Sequence, residues 1–266
     1  MALLELDACS LRFGGLTAVD ALSTVMETQS LVGLIGPNGA GKTSVFNLIT
    51  GVYRPTSGEV RFAGRSLTGL RPFQITRLGI ARTFQNIRLF PSLTVFDNVR
   101  VAFHQHLRHH SVQSLLRLPA FHAEEAQISA QVMELLEIFN LGRLADEPAR
   151  SLPYGNQRRL EIVRALATRP KLLLLDEPAA GMNPTEKGEL TRLIRDIQQR
   201  FGISILLVEH DMKVVMNICE RVVVIDHGAK IAEGPPAAVR ADPRVIEAYL
   251  GEETAPVAVS AAPGPH

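Results

Sequence analysis

The stretch Gly36-Pro37-Asn38-Gly39-Ala40-Gly41-Lys42-Thr43 follows the aliphatic run LVGLI (31–35) directly and precedes SVFNLITGV, whose apolar residues recur at helical spacing. Glycines, a lysine and a hydroxyl residue at these intervals, between a strand and a helix, make a phosphate-binding loop. The glycines admit backbone turns that aim N–H groups at phosphate oxygens, and the helix adds its positive N-terminal end. In such a loop Lys42 reaches the β- and γ-phosphates and Thr43 ligates magnesium. A second element, Leu172-Leu173-Leu174-Leu175-Asp176-Glu177, is a buried strand ending in two acids. An acid at the carboxyl end of a parallel strand stands where such sheets bind ligands. Asp176 can therefore hold the magnesium, and Glu177 can orient and polarise an attacking water. Without the phosphate loop, the same two acids would read as a solvated turn.

The elements that must position these groups are visible as a rhythm. Short aliphatic runs at 31–35, 172–176, 203–208 and 222–226 alternate with helical patterns, which predicts a mainly parallel sheet wrapped by helices. Residues 3–27 and 58–63 alternate instead, with turn signals between, and predict an antiparallel sheet beside it. Between 100 and 150 strand-like runs disappear. There ISAQVMELLEIFNLG (128–142) puts Ile128, Val132, Leu135, Leu136 and Phe139 on one helical face, as expected of a helical insertion. The end, TAPVAVSAAPGPH (254–266), lacks periodicity and predicts a disordered tail.

Composition narrows the rest. The 266 residues, 46% hydrophobic and 21% charged, suffice for a large α/β domain with a sizeable core. A formal charge of +1 gives no general attraction to nucleic acid or an anionic membrane, and Arg158, Arg159 and Arg164 lack the interleaved aromatics of a nucleic-acid surface. No leader sequence and no apolar run of bilayer length is read, so a membrane role requires a partner. Cys9 and Cys219 read as buried reduced thiols. His104, His106, His109 and His110 have no carboxylate or cysteine at ligand spacing and read as solvated helix surface rather than a metal site.

GPNGAGKT (36–43), Gln85 in ARTFQNIRLFP, LPYGNQRR (152–159), LLLLDEP (172–178), AAGMNP (179–184) and EHDM (209–212), in that order, resemble the ATP-binding-cassette (ABC) family. The resemblance spans residues 3–251. The phrases RFGGLTAVD, ARTFQNIRLFPSLTVFDNV, LDEPAAGMNP, VEHDMKVVM and EAYLGE are similar to the ATPase subunits of branched-chain amino-acid importers. The implied fold is α/β, a P-loop NTPase of the ABC type with an antiparallel β subdomain and an inserted α-helical subdomain. The ATPase domain would cover 1–251, with 1–85 and 160–251 forming the RecA-like core and β part. Residues 86–159 would form the helical subdomain with its signature motif, and 252–266 a flexible tail.

The same resemblance implies roles. Phe13 would stack on adenine, and Gly36, Pro37, Asn38, Gly39, Ala40, Gly41, Lys42, Thr43 and Ser44 would bind the phosphates. Gln85 would contact magnesium or the attacking water on the path to a membrane subunit. Asp176 would support magnesium, Glu177 would be the catalytic base and His210 would bridge to the γ-phosphate. Leu152, Pro153, Tyr154, Gly155 and Asn156 would form the signature acting on a partner's ATP. Here Pro153 replaces a serine of the family's commonest form and removes both a hydroxyl and a backbone N–H, whereas Tyr154 fits the importer subgroup. Asn183 would stand in the dimer-communication loop, where the family more often has Asp. The implied cofactors are ATP and Mg2+. The implied partners are a second, related ATPase subunit, integral membrane permeases and, indirectly, a periplasmic substrate-binding protein. The implied location is the cytoplasmic face of the inner membrane.

Three alternatives remain at this point. One is an importer ATPase for urea, amides or another small polar solute. Another is a soluble cassette of translation or DNA repair, although no second cassette or long coiled coil is visible. The last is a regulatory cassette without hydrolysis, suggested by the altered signature.

Overall fold

A computed structural model describes residues 1–103 and 119–253 of the chain, the side chains of 119–122 and 250–253 excepted. The four histidines between 104 and 110 and the segment 254–266 lie outside the described residues.

Two sheets carry the architecture. The first is antiparallel, in the order β2-β1-β4-β5, with β1 (Ala2–Phe13), β2 (Leu16–Glu27), β4 (Ser57–Phe62) and β5 (Arg65–Ser66). The second runs β10-β9-β3-β8-β7-β6, through β3 (Leu31–Ile35), β6 (Ile80–Arg82), β7 (Leu172–Asp176), β8 (Ser204–Val208), β9 (Arg221–Asp226) and β10 (Ala229–Gly234). All its pairings are parallel except β10 on β9. The parallel strands are continuous aliphatic runs because both faces are covered, and strand alternation sends neighbours to opposite cores. Leu173, Leu175, Ile205, Leu207, Val222 and Val224 face one core. Leu172, Leu174, Leu206, Val208, Val223 and Ile225 face the other, which packs on the antiparallel sheet.

Helix α1 (Lys42–Ile49) buries Val45, Phe46, Leu48 and Ile49 in this second core, to which α2 (Pro72–Leu78) adds Ile75. Helices α3 (Val95–Phe103), α4 (Pro119–Ile138) and α5 (Tyr154–Leu166) form the helical layer. On α4 and just beyond it, Val132, Leu136 and Phe139 are fully buried, Leu135 nearly so, and Ile128 packs at the margin, which is the face the periodicity predicts. The chain ends through α6 (Pro184–Phe201), α7 (Met212–Ile218), α8 (Pro236–Ala241) and α9 (Pro243–Glu253).

Helix α5 starts at Tyr154 with Pro153 as its cap and runs unbroken through residues 159 and 160. Helix α9 continues to Glu253. Strand β6 and helix α3 have no counterpart in the sequence reading. Three residues are too few to show an alternation, and α3 is nine residues long.

Candidate nucleotide site

Register brings the chemistry together. Leu34 pairs with Val208, and Val208 with Asp176, across the neighbouring strands β3, β8 and β7. The segments that follow them, Gly36–Lys42, Glu209–His210 and Glu177, therefore leave the sheet at one edge, its carboxyl end. Gly36 and Gly41 adopt φ of +156° and +102°. A Cβ on either would stand 2.0 Å from the carbonyl oxygen of Ile225 or 2.3 Å from that of Ala18, so both positions require glycine. Lys42 is buried at the start of α1, and its Nζ donates to the carbonyl oxygens of Gly36 and Pro37, both at 2.7 Å. Thr43 is exposed and Ser44 half-buried in the same first turn, and a cleft of about 750 Å³ lies between Pro37–Ala40, the Asp226–His227 turn and α9.

Asp176 is buried, and its Oδ2 accepts from the Arg82 guanidinium at 2.8 Å. Arg82 also donates to Asn47 Oδ1 at 2.7 Å and lies against the rings of Phe46 and Phe84. Glu177 has a left-handed backbone, φ +45°, a conformation that costs energy in a non-glycine residue and occurs most at functional positions. Its Oε2 accepts from Gln85 Nε2 at 3.0 Å and stands 3.7 Å from His210 Nδ1. Burial raises the Glu209 carboxyl above its ordinary range, whereas Lys187, at 2.9 Å, holds Asp211 below its own. Phe13 stands apart from this cluster, half-exposed at the end of β1 and edge-on to Tyr53 at 5.1 Å.

The expected signature residues lie at the start of α5, where Leu152 is buried and Pro153 and Tyr154 are exposed. Tyr154 packs on Gly181, and Gly155 stands near Glu186. Asn183 caps α6: its side chain accepts from the Glu186 N–H, and Glu186 accepts from the Asn183 N–H, both at 3.0 Å. Fully buried Arg158 joins the signature helix to the Gln85 segment. It donates to the carbonyls of Phe84 at 2.6 Å and Gln85 at 2.7 Å, to Glu161 at 2.9 Å and to Tyr154 Oη at 3.2 Å. Glu161 in turn accepts from the N–H groups of Phe84 and Arg88.

Sequence reasoning set Arg158 aside as no part of a nucleic-acid surface and missed the carbonyls it holds. It also passed over Arg82 and Glu209. The available signal was the same for both: a charged residue at the carboxyl end of a short apolar run.

The family model described as ABC transporter matches residues 19–180, and one described as branched-chain amino acid ATP-binding cassette transporter matches 229–255. The chain is 46% identical over 250 residues to the high-affinity branched-chain amino acid transport ATP-binding protein BraF of Pseudomonas aeruginosa, covering 94% of this chain and 98% of that protein. The same figures hold for the corresponding LivG protein of Escherichia coli. Among solved structures, it resembles the ADP conformation of an ATP-binding cassette of an ABC transporter, with TM-score 0.82 and 30% identity over 94% of this chain and 99% of that one. A nucleotide-free cassette from an ABC transporter matches with TM-score 0.80 at the same identity and coverage.

Proposed function

The chain belongs to the ABC transporter family, as an ATP-binding and ATP-hydrolysing subunit of the branched-chain amino-acid type, and from that premise we propose how its own residues divide the work. The phosphate loop from Gly36 to Ser44 binds the ATP phosphates, with Lys42 turning from its own loop carbonyls to the β- and γ-oxygens. Phe13 supplies the aromatic platform for adenine. Glu177 accepts the proton of the attacking water, Gln85 orients that water, and His210 reaches the γ-phosphate. The observation that carries this reading is the grouping of Glu177, Gln85 and His210 around one carboxylate oxygen, beside the loop, at the ends of neighbouring strands.

Thr43, Gln85 and Asp176 offer only oxygen donors, which suits a hard divalent cation. No group of three or more His, Cys, Asp or Glu among the described residues could hold a metal unaided. A magnesium ion held by those donors would supply positive charge that neutralises the ATP phosphates.

The signature from Leu152 to Asn156 acts on the ATP of a second cassette, so two subunits close head to tail and hydrolysis reopens them. That second cassette is a related chain. Closure biases the permease subunits between access states, a ligand-driven two-state equilibrium. No helix among the described residues is long and apolar enough to cross a membrane. In this reading the chain works from the cytoplasmic face through its permeases, with cargo delivered by a periplasmic binding protein. The cargo is a branched-chain amino acid, the solute in the names of the relatives.

Glu177→Gln tests the assignment. The variant keeps the side chain's shape and loses its basicity, so it should bind ATP, accumulate a closed dimer and lose turnover by about 10²- to 10⁴-fold. Normal steady-state hydrolysis by the variant in the assembled transporter would refute the role given to Glu177.

A further inference from the structure

Glu209 ends β8's extension and precedes His210, yet its carboxyl turns inward and is 1% exposed. Oε1 accepts the Ala179 N–H at 2.8 Å, which ties the carboxyl to the loop that follows Glu177. Oε2 is fully buried and finds no hydrogen-bond partner among the described residues. A buried carboxyl oxygen left unsatisfied costs free energy, and such a group calls for an explanation. Nδ1 of His210 stands 3.9 Å from this oxygen, too long for a hydrogen bond. The imidazole is 55% exposed and can swing, whereas the carboxyl is pinned by Ala179.

We propose that Glu209 is the positioning residue for His210: its Oε2 carries a proton and donates it in a hydrogen bond to Nδ1, so that the ring's own proton stays on Nε2. The tautomer of an imidazole is set by the partner of its other nitrogen. With Nδ1 occupied as an acceptor, Nε2–H becomes a fixed donor toward the γ-phosphate. This inference rests on the role proposed above for His210.

The charges around Glu209 fit a neutral acid. Burial is the strongest influence and favours the protonated form. Glu177 pushes the same way, while the Ala179 N–H, His210 and Lys187 oppose it. Lys187 is engaged by Asp211, and Asp211 also caps α7 through the Lys213 N–H, so neither competes for His210. The competitor for Nδ1 is Glu177 Oε2, at 3.7 Å, which already accepts from Gln85 Nε2 at 3.0 Å. Ionised Glu209 would instead favour a charged imidazolium, a different donor with different chemistry.

Glutamine separates the two cases, because its amide oxygen can accept from Ala179 and its NH2 can donate to Nδ1, as the protonated acid does. Glu209→Gln should turn over Mg-ATP faster than Glu209→Leu by about 10- to 100-fold in the assembled transporter, the range lost when an orienting partner is removed. In nitrogen-15 spectra of the full chain labelled at histidine, His210, assigned by its absence in His210→Ala, should be in the Nε2–H tautomer in both the native protein and Glu209→Gln. A Gln variant as slow as Leu, or a native His210 in the Nδ1–H or imidazolium form at neutral pH, overturns the inference. If the Leu variant fails to fold by circular dichroism, Gln measured against the native protein and the spectra decide. Undiminished hydrolysis by His210→Ala would remove the role of His210 itself, and the spectra would still judge Glu209.

Discussion

The ion pair between Arg82 and Asp176 is the most consequential contact that residue types did not announce. Both side chains are under a tenth exposed, so removing one partner leaves a buried charge uncompensated. Arg82→Met should destabilise the fold by about 3–5 kcal/mol in denaturant titrations. Adding Asp176→Asn should cost less than the sum of the two single changes, and strict additivity would argue against the pairing. Glu209 predicts a pH dependence. Its carboxyl binds a proton more tightly in the folded chain than in the unfolded one. Its contribution is therefore fully present below the ordinary glutamate value and is lost as pH rises from there through the raised folded value. Glu209→Gln should flatten that fall in a series of unfolding midpoints measured against pH.

Helix α5 is where local chemistry and assembly meet. Its start is capped by Pro153, which supplies no side-chain hydrogen bond, in contrast to α6, where Asn183 and Glu186 satisfy each other's backbone. A serine at 153 could accept an N–H of the first turn, worth about 1 kcal/mol, and would restore the hydroxyl of the commoner signature. Pro153→Ser should raise both the melting temperature of the chain and the ATPase rate of the assembled complex. An unchanged rate would reject the idea that Pro153 weakens the half-site. Arg158 and Glu161 bind the same helix to the backbone of residues 84–88, whose Gln85 touches Glu177. The half-site offered to a partner and the chain's own catalytic carboxylate thus share one short segment.

The two cores meet across the six-stranded sheet, and its packing against helices depends on small residues at close approaches. A Cβ on Gly33, in the middle of β3, would lie 2.8 Å from Val215 Cγ1 and 3.1 Å from Cys219 Sγ of the α7 region. Gly33→Ala should cost about 1–3 kcal/mol by overpacking, and Val215→Ala in the same chain should recover part of it. Full additivity of the two losses would show that the strain lies elsewhere. The two thiols occupy different cores, and burial pushes Cys219 up to about 12, which agrees with reduced, unreactive residues.

Much of this was legible in order along the chain. The phosphate loop, the acids after LLLLD and the strand and helix periods are local patterns of residue type and spacing, although the close approach of Ile225 and Ala18 to the loop glycines shows only in the fold. The buried face of α4 followed from a 3.6-residue period alone. What periodicity could not supply were strand β6, too short to alternate, and the start of α5, where Pro153 is the cap. Nor could the sequence show that Arg82 answers Asp176, that Arg158 holds the carbonyls of Phe84 and Gln85, or that Glu209 turns in beside His210. Arg82 and Asp176 are brought together from 94 positions apart by parallel strand order, and the orientation of Glu209 is set by burial rather than by its place in the chain. The type of residue determined which groups were able to do chemistry; burial and register, which exist only in the folded chain, decided which of them meet and what each is bonded to.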